Sequence, residues 1–131
     1  MFMDNFMKEE LEEALRAITS SLRKSEKAVL KLKEGTFQNR MIVQAIKAYY
    51  ITIELINREL ETKFTEASSE NKYTKEELDE GLQAFTSAIS RVEKILPKFK
   101  TGTSQHTLAI RRIKAFHIAI KLINRESKKC S

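Results

Sequence analysis

The sequence predicts an all-α protein, an up-down-up-down four-helix bundle built from two tandemly duplicated helical hairpins with pseudo-twofold symmetry. Three observations support this prediction. The chain repeats itself at an offset of 67 residues, its apolar residues recur at helical spacing, and only three Gly and one Pro interrupt its 131 residues. Because Gly and Pro mark most turns, so few of them predict few turns and long helices.

The repeat aligns residues 8–60 with residues 75–127 without a gap, and 26 of these 53 positions are identical. Gly35-Thr36 recurs as Gly102-Thr103, and the Leu-Ile-Asn-Arg-Glu of residues 55–59 recurs at residues 122–126. A repeat of this length is one supersecondary unit that occurs twice. We therefore expect one domain over residues 1–131, with unit one at 8–60, a linker at 65–74, unit two at 75–127 and a short disordered tail at 128–131.

The first helix is predicted from a stripe of apolar and small residues that begins at Met7 and continues to Leu32 in steps of about three and four. Acidic residues open this segment and lysines close it, an order that complements the helix dipole. Gly35 then offers a C-cap position, and Thr36 can cap the next helix. A turn this short makes the two helices of the hairpin antiparallel.

The second helix is predicted from about Phe37 to about Phe64. Its β-branched residues could suggest a strand, but its length and its helical period exclude that reading. The main apolar stripe, which we expect to face the core, consists of Ile42, Ile46, Tyr49, Ile53, Ile56 and Leu60.

Unit two repeats this design with two differences. Thr74 and Glu77 form a capping-box pattern at the start of the third helix. Pro97 occupies the position of Leu30, so the third helix should end or kink about one turn early. The fourth helix carries a core stripe of its own, which consists of Ala109, Ile113, Phe116, Ile120 and Ile123.

Helices two and four carry a second apolar stripe, on the side away from the first one. Its members are Ala48, Ile51, Leu55, Ala115, Ile118 and Leu122. Three interpretations are open: an uneven bundle that buries more of these helices, a homodimer interface through helices two and four, or a groove for a ligand or a partner helix. An exposed apolar patch of this kind usually marks an interaction site.

The fourth helix is also strongly basic, with seven Lys or Arg and one Glu between Ser104 and Lys129. The residues that share one face and could contact an anion or a nucleic acid are Arg111, Lys114, Lys121, Arg125 and Lys128. Such a stripe could neutralise several phosphates. The alternative is an ordinary solvated face.

No motif in the sequence predicts catalysis, a cofactor or a metal. His106 and His117 lack the acidic residue three positions earlier that metal sites in helical bundles use. The pair Arg112 and His117 resembles the Arg-x4-His pattern of some all-helical ribonuclease domains, and this resemblance implies RNA cleavage at a dimer interface. The equivalent residues of unit one are Ala45 and Tyr50, so only unit two carries the pair.

The remaining composition indicates a cytoplasmic protein. The single cysteine, Cys130, excludes an intrachain disulfide, and no segment approaches the roughly 20 apolar residues that cross a bilayer. Residues 1–6 lack a basic segment followed by an apolar run, so we expect no secretory signal. A net charge of +6 is compatible with nucleic acid as a partner.

From the sequence we expect an interaction or regulatory protein that acts by binding rather than by catalysis. Its partner would be another protein or a second copy of itself, and not a membrane. The first alternative is a nucleic-acid-associated protein that uses the basic face of helix four. The remote alternative is an all-helical ribonuclease that uses Arg112 and His117.

Overall fold

The computed structural model describes residues 6–61 and 73–129. These residues form four α-helices, which we call α1 (Lys8–Val29), α2 (Phe37–Glu61), α3 (Lys75–Ile95) and α4 (Ser104–Lys128), and one 3₁₀ helix at Leu96–Lys98. No strand occurs in the two described ranges. Residues 65–72 of the expected linker, and Cys130 in the expected tail, lie outside them. Lys128, which was assigned to that tail, is the last residue of α4.

The helices pack as a four-helix bundle, as predicted. Each helix contacts the next one along the chain, and α4 closes the ring by packing against α1. In addition, α2 and α4 contact each other across the diagonal of the bundle. None of the described helices has the length and the apolar content needed to cross a membrane.

The core is one cluster to which all four helices contribute. Ile18, Ile56, Leu78 and Ile123, one from each helix, have no exposed surface. Above them three aromatic rings pack together: the ring centroid of Tyr49 lies 5.7 Å from that of Phe85 and 6.3 Å from that of Phe116. Phe85 and Phe116 are 5.4 Å apart. The rings of three different helices therefore meet near the middle of the bundle.

The two hairpin turns have the same local structure. Gly35 and Gly102 have φ values of +85° and +92°, which a residue with a Cβ atom rarely adopts. After each glycine a threonine caps the next helix. Thr36 Oγ1 accepts a hydrogen bond from the Asn39 amide at 3.2 Å, and Thr103 Oγ1 accepts one from the His106 amide at 3.2 Å. The predicted cap at Thr36 is confirmed.

The start of α3 has the predicted capping box. Thr74 Oγ1 accepts a hydrogen bond from the amide of Glu77, and the Glu77 carboxylate accepts one from the amide of Thr74, both at 3.0 Å. Two backbone amides that have no partner within the helix are thereby satisfied.

The ends of α1 and α3 differ from the prediction. α1 ends at Val29, where the amides of Lys31 and Leu32 bond to carbonyls three residues back. Gly35 is therefore part of the turn and not a C-cap of α1. α3 ends at Ile95, which corresponds to Ala28, so Pro97 shortens it by only one residue relative to α1. Both hairpins tighten into turns of the 3₁₀ type before the glycine, with or without a proline.

Candidate functional site

Five of the six residues of the second apolar stripe are buried inside the bundle. Ala48, Ala115 and Leu122 have exposed fractions of 1%, 2% and 4%, and Ile51 and Leu55 are also buried. Ile118 is half-buried and packs against the same core. These residues do not form the exposed stripe that was expected, so the apolar argument for a homodimer through α2 and α4 no longer holds. The burial favours the interpretation of an uneven bundle.

The position of Thr52 explains why this stripe is buried. At 100° per residue, the two apolar stripes of α2 lie on either side of Thr52, which has no exposed surface. Ala119 occupies the equivalent position of α4 and is equally buried. Both central residues are small, and α2 and α4 contact each other across the diagonal. Each of the two helices therefore buries one wide face. The two apolar stripes form the two edges of this face.

The basic stripe of α4 is divided among several local partners. Arg111 and Lys114 line a surface groove of about 320 Å³ between α1 and α4, and Glu10 and Glu13 line its opposite wall. The Lys121 ammonium lies 5.9 Å from the ring centroid of Phe6, within cation–π range. Carboxylates and an aromatic ring of the chain itself thus face three of the five predicted anion contacts.

The last two residues of the stripe lie near the C-terminal end of α4. The Arg125 guanidinium is 3.1 Å from a Glu59 carboxylate oxygen, although its Nη2 does not have hydrogen-bond geometry there. Lys128 is exposed. Because Arg125 already pairs with α2, the five residues do not form one uncompensated cationic surface.

A different cationic region becomes evident once the helices are packed. The half of the bundle that contains the two hairpin turns consists of residues 20–45 and 87–112, and we call it the cationic end. It holds twelve Lys or Arg and three Glu, whereas the other described residues hold ten basic and twelve acidic side chains. The N-termini of α2 and α4, which carry partial positive charge, lie in the same half.

A pocket of about 190 Å³ opens within the cationic end, and we call it the end pocket. All four helices contribute to it, and Tyr49 and Phe116 of the aromatic cluster lie on its inner side. Lys24 and Arg91, which correspond to each other in the two units, are exposed lining residues. The complete lining is Ser21, Lys24, Ser25, Tyr49, Ala88, Arg91, Val92, Arg112 and Phe116. None of these lining residues carries a carboxylate.

Arg112 is the most unusual residue of the end pocket. Its Nε and Nη2 atoms are buried, and no group of the described residues accepts a hydrogen bond from either atom. These two nitrogens form one edge of the guanidinium, the edge that can hold two oxygens of one carboxylate or phosphate. A buried guanidinium edge without an acceptor is energetically unfavourable, which makes it a strong candidate for ligand contact.

Two hydroxyl groups add to the polar lining. Ser21 is 7% exposed, and its buried Oγ has no hydrogen-bond partner among the described residues. Burial raises the pKa of the Tyr49 hydroxyl, while the nearby charges of Arg91 and Arg112 and a hydrogen bond with Ser25 act in the opposite direction. Tyr49 is therefore a neutral hydroxyl at pH 7, beside two guanidinium groups.

Arg112 and His117 are not brought together in the end pocket. His117 is exposed and does not line it. The Arg-x4-His pattern thus pointed to Arg112, but the end pocket does not contain the His117 partner that the pattern requires. Ser21, Lys24, Tyr49 and Arg91 were not predicted as site residues. The signal that could have found the cationic end was the change from acidic to basic along α1 and α3, combined with the antiparallel turn.

The C-terminal ends of α2 and α4, in the other half of the bundle, carry a network of ion pairs. Arg58 Nη1 lies 2.9 Å from Glu126 Oε1, and these side chains are only 15% and 4% exposed. Lys129 Nζ lies 3.5 Å from the same oxygen. Tyr73 donates a hydrogen bond to Glu54. Burial is the largest cause of the raised pKa of Tyr73, and this hydrogen bond is the second. These contacts join α2 to α4 and to the residues just before α3.

Within the described ranges, no group of three or more His, Cys, Asp or Glu side chains is placed to hold a metal ion. The chain matches no protein-family model, and comparisons with curated proteins and with solved structures find no similar protein. A functional assignment therefore has to rest on the residues of the end pocket and of the cationic end around it.

Proposed function

We propose that this protein acts by binding an anionic partner through its cationic end, rather than by catalysis. The observation that carries the proposal is the buried, unpaired edge of Arg112 in a pocket whose rim holds Lys24 and Arg91. The cationic end around this pocket holds twelve basic and three acidic residues, and although Arg111 faces Glu10 and Glu13 of the other half, the remaining excess of positive charge would attract an anion over a longer range. A cytoplasmic location belongs to the same proposal and is supported by the single cysteine.

The chemistry of the end pocket supports binding more than catalysis. Its charged groups are two arginines and one lysine, which suit the binding of an anion. Tyr49 has a raised pKa and keeps its proton at pH 7. A general acid or base works best when its pKa is near the operating pH, and the raised pKa of the Tyr49 hydroxyl does not meet that condition.

Nucleic acid is the second candidate partner, because its phosphates would complement the same cationic end. The nucleic acid would then contact the cationic end around the hairpin turns, and not the basic face of α4 that the sequence predicted. The reason is that Glu59, Glu10 and Glu13 lie opposite Arg125, Arg111 and Lys114. The nucleic-acid alternative therefore shares the location of the first candidate and differs only in the partner.

The location of the anion-binding surface can be tested with two variants of equal net charge. In the first, four exposed lysines of the cationic end are changed to Gln, namely Lys27, Lys31, Lys94 and Lys98. In the matched control, four exposed lysines of the other half are changed to Gln, namely Lys8, Lys47, Lys75 and Lys114. Both sets consist of positions that correspond in the two repeat units, so the variants differ mainly in where the charge is lost.

We expect the first variant to elute from immobilised heparin at clearly lower salt than the control, because heparin is a polyanion that reports on local cationic density. Binding of a labelled single-stranded oligonucleotide at ~50 mM salt then tests the nucleic-acid candidate, and its salt dependence reports the number of phosphates contacted. If the two lysine variants elute together, the cationic end is not the anion-binding surface and the proposal fails.

A further inference from the structure

The end pocket has more donors and more charge than one carboxylate would use. Arg112 presents two N–H groups on one edge, Ser21 and Tyr49 add hydroxyl groups, and Lys24 and Arg91 add two further positive charges. A carboxylate offers two oxygens and one negative charge. A tetrahedral oxyanion such as phosphate offers up to four oxygens and between one and two negative charges at neutral pH, and it is a preferred partner of the arginine fork.

The size of the end pocket agrees with a small group. Its volume of about 190 Å³ lies below the roughly 300–1,000 Å³ of sites that enclose whole small molecules. A phosphate could enter past the exposed Lys24 and Arg91, and the buried guanidinium edge of Arg112 would turn toward it to form the contact. A larger ligand would leave the rest of its body outside, over the cationic end.

We infer that the end pocket is a specific site for a phosphate group, either inorganic phosphate or the terminal phosphate of a larger ligand, held by Arg112 and Ser21 with Lys24 and Arg91 at the rim. This inference rests on the proposed function and narrows it to one ligand chemistry. Tyr49 accepts a hydrogen bond from Ser25 and donates its own hydroxyl hydrogen to the same phosphate group. Binding is noncovalent and changes no bond of the ligand.

Two features of the free protein support this assignment. The two guanidinium groups and the ammonium group that line the pocket repel one another, and no carboxylate of the described lining offsets this repulsion. The buried Ser21 hydroxyl and the Arg112 edge lack partners in the described chain, which is unfavourable for both groups. A bound phosphate removes both costs, so its binding should stabilise the folded protein.

The chain offers a matched control for Arg112. Arg111 is its neighbour on α4, but it is exposed and lines the groove with Glu10 and Glu13 instead of the end pocket. Arg112→Ala and Arg111→Ala therefore remove the same charge from adjacent positions. Ala45 is the counterpart of Arg112 and Ala88 that of Ser21, so alanine already occupies the equivalent helix positions in the other unit. Ser21→Ala is the second variant.

The experiment follows backbone amide resonances and the melting temperature of the full chain while inorganic phosphate is added at constant ionic strength. We expect saturable shifts at residues around Ser21, Tyr49 and Arg112, together with a rise in melting temperature. Arg112→Ala should weaken phosphate binding about tenfold or more, because hydrogen bonds to a charged group are the strong ones. Ser21→Ala should weaken it several-fold without destabilising the fold, and Arg111→Ala should change it less than about threefold.

Two further ligands complete the test. Acetate should bind far more weakly than phosphate, and equal binding of acetate would overturn the assignment to a tetrahedral oxyanion. Ribose 5-phosphate distinguishes the sources: tighter binding than inorganic phosphate indicates the end of a larger ligand, and weaker binding indicates the free ion. The inference is overturned if phosphate gives no saturable shifts, or if Arg112→Ala and Ser21→Ala both bind it like the unchanged protein. The heparin comparison can still succeed in that case, so the two proposals fail separately.

Discussion

Adjacent residues of α2 show how strongly the environment of a side chain depends on the helix face it occupies. Tyr49 is 6% exposed and packs against Phe85 and Phe116, whereas Tyr50 is 52% exposed and donates a hydrogen bond to Glu26. The two residues have the same side chain and consecutive positions. A comparison of their variants therefore isolates the effect of burial.

We expect Tyr49→Ala to lower the free energy of unfolding by about 3–5 kcal/mol, because it removes a ring from the centre of the aromatic cluster and leaves a cavity. Tyr50→Ala should lower it by less than about 1 kcal/mol, since it removes only exposed surface and one exposed hydrogen bond. Urea unfolding followed by circular dichroism measures both values. Similar losses for the two variants would contradict the packing described for α2.

At the scale of single elements, the glycines act in two different ways. Gly102 has a positive φ in the turn before α4 and has open space around the position of a Cβ atom. Gly81 lies within α3, where a Cβ atom would meet Ile123 Cδ1 at 3.2 Å and Ala48 Cβ at 3.8 Å. The corresponding residue of α1 is Ala14, which is buried without difficulty. The same substitution should therefore have opposite effects at the two glycines.

Gly102→Ala should destabilise the protein by about 1 kcal/mol, because the new Cβ atom disfavours the left-handed backbone of the turn. Gly81→Ala should stabilise it by about 0.5–1 kcal/mol, since alanine favours the helix and the close Ile123 Cδ1 is the movable end of its side chain. Thermal unfolding of both variants provides the test. A loss of stability in Gly81→Ala would show that α3 and α4 cannot adjust by the few tenths of an ångström required.

At the scale of the whole molecule, two ion pairs join α2 and α4 across the bundle. Arg58 pairs with Glu126, and Arg125 pairs with Glu59. The two arginines correspond in the sequence repeat, and so do the two glutamates. The first pair is mostly buried, whereas the side chains of the second are about one-third exposed. A buried pair and a partly exposed pair of the same composition can therefore be compared within one protein.

Glu126→Leu should lower the free energy of unfolding by about 3–5 kcal/mol, because it leaves the Arg58 charge buried without its partner. Glu59→Leu should cost about 1 kcal/mol or less, since solvent screens the second pair. Adding Arg58→Met to Glu126→Leu should recover most of the loss, as no charge then remains buried. Chemical denaturation of the three variants and the parent checks this order. If the double variant stays as unstable as Glu126→Leu, the loss has a cause other than the unpaired arginine.

The sequence alone determined the fold class, the number of helices and much of their local chemistry. The helical period of the apolar residues and the Gly-Thr turns act over one or two turns of chain, so they can be read without knowledge of the packing. The same holds for the cap at Thr36 and for the capping box of Thr74 and Glu77. The repeat also placed the two arginines and the two glutamates of the cross-bundle pairs at equivalent positions.

Only the tertiary structure decided what the surfaces are. Whether Ala48, Ile51 and Leu55 face solvent depends on how α2 packs against the other helices, and the centre of its buried face is Thr52, a polar residue that the apolar pattern did not include. The end pocket likewise takes Ser21, Tyr49, Arg91 and Arg112 from four different helices. Helical periodicity assigns residues to faces of one helix, but burial and charge neutralisation are properties of several helices together. The end pocket and the cationic end therefore exist only in the packed bundle, where the basic ends of α1 and α3 lie beside the N-termini of α2 and α4.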